Sequence, residues 1–199
     1  MIRHIHLKTP HGTLLGRLDR PDDPRCLILL ARSHHVPGDA ELAQHLAELG
    51  DAVLSMELLT TQELQFADAT QNVPRLSQRL IEILDLIRID GDMENLPLGI
   101  FAAGDITPAA IRAAAQRDAQ VKAIACHGGL IDRAGLQALD LLAGPLLMLF
   151  DADDDIGPAA YHRAGNHLHG PHEMHWLAAH EDGMVRATTW LCRQVSALK

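Results

Sequence analysis

The sequence predicts a three-layer α/β fold, in which helices cover both faces of a mainly parallel β-sheet. Short apolar runs alternate with amphipathic helical segments along most of the chain, which is typical of strand–helix–strand units with right-handed crossovers. The run 26–31 is continuously apolar, as expected for a strand that is buried on both faces. Residues 2–8 alternate between polar and apolar instead, and with 12–18 they predict an antiparallel hairpin at the start of the sheet.

The remaining elements follow from the periodicity of their apolar residues. Helical spacing is clearest after Pro74, where Leu76, Leu80, Leu84 and Ile87 predict an amphipathic helix. Residues 57–72 show no period and are expected to form a long loop. Strands are predicted at 26–31, 52–56, 98–103, 121–126, 145–150 and 172–177. Further helices are predicted at 39–49, 157–169 and 183–198. Two more are predicted between these: one begins at 108, and the next ends at 142.

The composition is that of one soluble domain spanning residues 1–199. A chain of this length can bury a core without disulfides or metal. There are 17 basic and 26 acidic residues, and the net charge of −9 argues against nucleic acid or an anionic membrane as a partner. No signal peptide or membrane span is evident. We expect a monomer or a homodimer with no membrane partner.

The cysteines indicate a reducing compartment. Cys26, Cys126 and Cys192 are odd in number and far apart, which fits neither a disulfide framework nor a zinc knuckle. Cys126 is expected to be a small buried residue. The chain also lacks a Walker loop, a G-x-G-x-x-G motif and a CxxC pair. We therefore expect a cytoplasmic protein without a cofactor or a dedicated metal site.

The stretch 96–115 predicts a strand, a sharp turn and a helix. The turn lies at Gly104-Asp105, and Pro108 occupies a position that a first helical turn allows. Such a turn carries the G-x-S-x-G nucleophile in enzymes that display a serine above the sheet. Here the five corresponding residues, 102–106, are A-A-G-D-I. The turn is therefore present without the serine.

The order of these segments resembles a lidless α/β-hydrolase of the dienelactone-hydrolase-like group, from about Cys26 to the C-terminus. Residues 55–60, S-M-E-L-L-T, resemble the D-L-L-T segment of that group, and 73–80 resemble the start of its next helix. Residues 96–101 lead into the turn without a gap. The resemblance implies a catalytic triad in the order nucleophile, acid, histidine.

Carried over residue by residue, the resemblance places the acid on Asp153 and the histidine on His180. The nucleophile position falls on Gly104. The loop that donates backbone N–H groups to an oxyanion has Arg32 and Ser33 in place of its usual histidine and glycine. The attacking group and the oxyanion loop are thus both altered.

Each altered position has a structural interpretation beside the functional one. Gly104 cannot attack a carbonyl, and we interpret it as relieving backbone strain at the turn. Asp105 is an alternative nucleophile if the turn slips by one residue, but a cap of the helix near Pro108 is favoured. Arg32, Ser33 and His34 are candidate ligand-binding residues, and Arg32 suits an anion, although a salt bridge is favoured for it.

The acidic and histidine-rich segments are the remaining candidates. Residues 151–155 are expected to form a solvated loop in which Asp153 orients His180, and a weak divalent-cation site is the alternative. Six histidines follow, and adventitious metal affinity is favoured over a designed site because their spacing lacks a metal motif. They are His162, His167, His169, His172, His175 and His180.

We therefore predict a catalytically degenerate hydrolase that keeps its fold and binds a small molecule or a partner. The alternative is an active ester or lactone hydrolase that uses Asp105, Ser33 or a water activated by His180. In that case His180 is the general base and Asp153 fixes its tautomer. A weaker alternative is a metal-binding protein that uses the histidines and aspartates.

Overall fold

The computed structural model describes residues 1–196 and contains an eight-stranded sheet in the order β1-β2-β4-β3-β5-β6-β7-β8. Strands β1 (Ile2–Thr9) and β2 (Gly12–Asp19) pair antiparallel, with Ile2 opposite Asp19. Strand β2 also runs antiparallel to β4, and all the other neighbours are parallel. The mainly parallel sheet with an N-terminal hairpin is thereby confirmed.

Six of the strands, β3 to β8, run parallel, and the first five of them form the centre of the molecule. Strands β3 to β7 are almost entirely buried because helices cover both faces, which explains their unbroken apolar runs. The edge strand β8 is largely exposed. The strands are β3 (Leu27–Arg32), β4 (Ala52–Glu57), β5 (Leu98–Ala103), β6 (Val121–His127), β7 (Leu146–Phe150) and β8 (His172–Trp176).

Helices on the two faces enclose two separate apolar cores. Buried residues of α1 and α6 pack on one face, and those of α2, α3, α4 and α5 pack on the other, which gives three layers. The helices are α1 (Gly38–Glu48), α2 (Val73–Ile89), α3 (Thr107–Gln116), α4 (Leu136–Leu141), α5 (Ile156–Ala164) and α6 (Gly183–Ser196). None of these helices is long and apolar enough to cross a bilayer. Residue 198, expected on the buried side of α6, lies outside the described residues.

Two helices are shorter than the sequence predicts. The segment before residue 142 is divided at Gly135, whose φ of +88° separates a 3₁₀ turn from α4. Helix α5 ends at Ala164 and not near His169, because Gly165 begins a 3₁₀ turn and Gly170-Pro171 leads into β8. The strand pattern is unaffected by either change.

The long loop 57–72 is anchored to α2 by a buried ion pair. Arg79, which is 2% exposed, donates to both carboxylate oxygens of Glu63 at 2.8 and 2.9 Å and also to the Leu58 carbonyl. Burial alone would raise the pKa of Glu63, but hydrogen bonds from Arg79 and Thr60 outweigh it and lower that pKa to about 2. The ion pair between Arg79 and Glu63 therefore fixes the loop 57–72 against α2, although the sequence of this loop shows no periodicity.

Candidate active site

The turn after β5 has the backbone shape of a nucleophile elbow. Strand β5 ends at Ala103, residues Gly104–Ile106 form a 3₁₀ turn, and α3 begins at Thr107. Gly104 has a φ of +54°, in the left-handed region that glycine occupies with little strain. A Cβ built on Gly104 would meet no atom within 4 Å. The turn therefore faces open space at the point where a nucleophilic side chain would stand.

A second glycine loop fixes the position of this elbow. Gly129, with a φ of +93°, lies so close that a Cβ on it would stand 2.2 Å from the Gly104 carbonyl oxygen. The hydroxyl of Thr107 donates to the Gly128 carbonyl at 2.9 Å. The loops after β5 and β6 are thus locked together by backbone contacts. Only glycine at position 129 permits this approach.

The carboxylate of Asp105 is directed toward loop 57–72. It accepts hydrogen bonds from Thr70 at 2.6 Å and from Gln71 at 2.9 Å. Arg133 in turn donates to the Gln71 side chain at 2.6 Å. The expected cap is wrong, because α3 begins with no side-chain cap and Asp105 has taken these other donors. Asp105 therefore tethers the elbow to the loop.

The loop after β3 confirms a salt bridge for Arg32. Its Nε donates to Asp39 Oδ2 at 2.8 Å, and its guanidinium lies 5.0 Å from the centroid of the Phe101 ring. Both charged side chains are almost buried, at 11% and 6% exposure. The next residues form a different contact, since Ser33 Oγ lies 2.9 Å from His34 Nδ1. The Arg32 guanidinium is therefore engaged in the ion pair with Asp39, whereas the Ser33 hydroxyl lies next to the His34 imidazole.

The loops that carry Asp153 and His180 are exposed. Within residues 1–196, no hydrogen bond joins the side chains of these two residues. In the histidine loop Glu181 accepts from His175 at 3.2 Å, from the Ala178 amide and from Arg186. These hydrogen bonds, that of His175 foremost, lower the pKa of Glu181 to about 2. The loop is thus ordered by Glu181 and leaves the imidazole of His180 in solvent.

A different histidine–carboxylate pair forms at this edge of the sheet. His127 Nε2 lies 3.1 Å from Asp151 Oδ2, at the carboxyl ends of the neighbouring strands β6 and β7. His127 is opposite Ala103 in register, one strand from the elbow, and Gly183 packs against its ring. Sequence reasoning missed the pair, although both residues directly end apolar runs. Recognising it required knowing that these two strands are neighbours.

Cys126 follows the expectation of a buried, unreactive residue. It is fully buried next to the elbow, and burial raises the pKa of its thiol to about 12, although the Thr107 side chain opposes this shift. A thiol with so high a pKa is protonated at neutral pH and is a poor nucleophile. The adjacent Cys126-His127 sequence is therefore not a catalytic dyad.

The six histidines of the C-terminal segment do not cluster in the structure. His167 and His169 both approach Asp140, at 2.9 and 3.4 Å, and His172 bonds to Tyr161 at 2.7 Å. None of the six histidines belongs to a group of three potential metal ligands within residues 1–196. Asp154, from the acidic run, accepts from the backbone at the start of α5. These segments therefore contain no preformed metal centre in the described part of the chain.

A cavity of about 300 Å³ opens beside the loop after β3. It lies between the outer face of the N-terminal hairpin, the ends of β3 and β4, and the start of α1. Of the three candidate ligand-binding residues, Arg32 and His34 border this cavity and Ser33 does not. The other polar side chains on its walls are His4, His6, Arg17, Asp19, His35, Asp39, Ser55 and Glu57.

The solved structures that resemble this chain include a dienelactone hydrolase and several esterases. A dienelactone hydrolase from Anabaena variabilis is 25% identical, with a TM-score of 0.82 over 99% of this chain and 95% of that chain. A cold-adapted esterase from an Arctic intertidal metagenomic library is 15% identical, with a TM-score of 0.77 over 98% and 94%. Est1E from Butyrivibrio proteoclasticus is 11% identical, with a TM-score of 0.71 over 98% and 96%. The α/β-hydrolase fold is thereby confirmed.

Two relatives by sequence match a smaller part of this chain than the solved structures do. Two proteins from strains of Mycobacterium tuberculosis, each named "Putative phosphoribosyl transferase", are 30% identical over 145 residues. That match covers 71% of this chain but 32% of theirs, so the chain spans about a third of the length of the relatives. No family model matches the chain.

Proposed function

We propose that this chain, which has the α/β-hydrolase fold of dienelactone hydrolase, binds a small molecule and does not catalyse acyl transfer. The observation that carries the proposal is Gly104, which occupies the elbow with no side chain while the space above it stays open. Acyl transfer by this fold needs a nucleophilic side chain at that point. The elbow keeps the shape for the reaction but lacks the atom that attacks.

The oxyanion loop supports the same proposal. An oxyanion hole needs donors that are free to face the developing charge. Arg32, at the start of this loop, already donates to Asp39 and stacks on Phe101. Recruiting it would break a nearly buried ion pair, which is costly because the partner charge would remain unpaired. The Arg32 guanidinium is therefore not available as an oxyanion donor, and the loop lacks the histidine and glycine that the resemblance implies at these positions.

The binding site we propose is the cavity beside Arg32 and His34. It lies at the carboxyl ends of β3 and β4, the edge at which open α/β sheets bind ligands. Four imidazoles on its walls, those of His4, His6, His34 and His35, offer hydrogen-bond donors to a carboxylate or phosphate group. Of the three carboxylates on the same walls, Asp19 pairs with Arg17 and Asp39 with Arg32, so a small organic anion is the ligand class that we propose.

The first experiment measures hydrolysis and binding on the same protein. Wild-type protein should not turn over short-chain nitrophenyl esters. Inorganic phosphate and benzoate, used as anion probes, should raise the melting temperature, and this shift should shrink in His34→Ala because an imidazole donor is removed. His45→Ala, on the exposed side of α1, is the matched control and should keep the shift. Turnover by the wild type, or a shift unchanged in His34→Ala, would contradict the proposal.

A second candidate function rests on the contact between Ser33 and His34. The 2.9 Å separation of Oγ and Nδ1 is the nucleophile–base geometry that activates a serine. We infer that any ester hydrolysis found would arise there, rather than from Asp105, whose carboxylate is engaged by Thr70 and Gln71. Ser33→Ala should then abolish the activity, whereas His180→Ala should leave it. The reverse result would assign the activity to a water that His180 activates.

A further inference from the structure

The geometry points to a binding site for a thiophilic divalent cation, of which Zn²⁺ is the type, formed by Cys26, Asp51 and Cys192. The ligand atoms of these three residues all lie within 4.8 Å of one another. They form the one such group of three within residues 1–196. The sequence separates them widely, so this cluster is created by the fold.

The cluster lies at the edge of the sheet opposite the elbow. Cys26 directly precedes β3, Asp51 directly precedes β4, and Cys192 projects from α6, which packs on β3 and β5. Backbone hydrogen bonds hold the two strand starts in place, since the Ala52 amide donates to the Cys26 carbonyl at 2.9 Å. Two of the three ligands are therefore preorganised by the sheet itself.

The donor set suits a soft cation. Two sulfurs and one carboxylate oxygen match the ligands that zinc accepts, and metal bonds of about 2.0–2.3 Å would place ligand atoms roughly 3.3–3.8 Å apart. Cys26 Sγ is already 3.3 Å from Asp51 Oδ1, to which its thiol donates. Cys26 and Asp51 are buried, whereas Cys192 is only half-buried and leaves a route from solvent. Three protein ligands leave the fourth position to water.

The charges around the cluster balance when a divalent cation is bound. Arg25 donates to both oxygens of Asp51, at 3.2 and 2.9 Å, and holds the carboxylate in position beside the thiols. Two thiolates, one carboxylate, one guanidinium and a divalent cation sum to zero. Binding releases one proton from Cys26 and one from Cys192 to solvent, and no electron is transferred.

The experiment uses the full-length reduced protein, freed of any affinity tag, and titrates it with Co²⁺ and then Zn²⁺. We expect a sulfur-to-cobalt charge-transfer band at one equivalent, which Zn²⁺ then displaces. The band reports thiolate ligands and is insensitive to cobalt bound by the thirteen histidines. Release of two protons per metal, measured in weakly buffered solution, should accompany it.

Variants assign the site. Cys192→Ser and Cys26→Ser should lose the band, and the matched control Cys126→Ser should keep it, because Cys126 lies elsewhere in the core. Asp51→Asn should keep the band but bind the cation more weakly. Circular dichroism identifies a variant that has not folded, and Cys192→Ser, at a half-buried position, keeps the test decisive if Cys26→Ser does not fold.

Three results would overturn the inference. One is a reduced wild-type protein that shows no thiolate band with Co²⁺. Another is a band that survives in folded Cys192→Ser. The third is an isolated protein whose intact mass lacks two hydrogens and whose peptide map joins Cys26 to Cys192, because the pair would then be a disulfide.

Discussion

The elbow and the two loops that complete a hydrolase site each lack one of the two things that catalysis needs, which are backbone geometry and side chains, but they lack different ones. At Gly104 the backbone has the shape that displays a nucleophile, but the side chain is missing. On the other two loops Asp153 and His180 provide the expected side chains, yet no hydrogen bond joins them. The elbow is exposed at Gly104 but is held by its close approach to Gly129 and by the hydrogen bond from Thr107 to Gly128, whereas Asp153 and His180 share no such contact. The elbow has thus kept its backbone geometry without the attacking side chain, and the other two loops have kept side chains that are not paired with each other.

The largest expected effect comes from the glycine that locks the elbow. Gly129→Ala should destabilise the fold by about 3 kcal/mol or more, because its Cβ would overlap the Gly104 carbonyl and its φ is positive. Gly104→Ala, with a similar φ but open space, should cost about 1 kcal/mol. Urea unfolding of both variants measures the difference. Equal losses would mean that the two loops are not in backbone contact.

An intermediate effect is expected where charge anchors loop 57–72, which contacts the elbow through Asp105. The pKa of Glu63 is lowered from 4.5 to about 2, so its contribution to stability is complete above the unfolded-state value and is lost as the pH falls toward 2. Glu63→Gln should cost about 2 kcal/mol at pH 7 after allowance for solvent screening.

Urea midpoints for wild type and Glu63→Gln should therefore converge as the pH falls from 5 toward 2. Glu41→Gln, on the exposed part of α1, is the matched control and should show no such convergence. A gap that stays constant with pH would show that the ion pair with Arg79 is not what anchors the loop.

The smallest effects are expected at the exposed loops. His180→Ala and Asp153→Ala should each change stability by less than about 0.5 kcal/mol. Their effects should add, because residues without a shared contact show coupling energies within about 0.3–0.5 kcal/mol. The matched cycle on His127 and Asp151, which are 3.1 Å apart, should show measurable coupling. Coupling between residues 153 and 180 instead would restore them as an assembled pair.

The fold was predictable because its signals are local. Unbroken apolar runs marked the buried strands, alternation marked the hairpin, and helical spacing after Pro74 marked α2. The elbow was also predictable, since a strand end, a glycine and a proline follow one another directly. These features need no knowledge of which strands are neighbours.

The contacts within the site could not be predicted, because they join segments far apart in the chain. His127 meets Asp151 only through the order of β6 and β7, and Cys26 meets Cys192 only through the packing of α6. Asp105 was expected to cap α3, yet Thr70 and Gln71, more than thirty residues away, provide its hydrogen bonds. When a side chain could bond to several groups near it in sequence, its actual partner depends on residues that only the fold brings close.

The most direct test of the missing nucleophile is the intact mass of the wild-type protein after exposure to a serine-directed fluorophosphonate. The proposal predicts an unmodified chain, because Gly104 has no atom to phosphonylate. A stoichiometric adduct on the wild type would contradict the proposal and show that this chain has an active nucleophile.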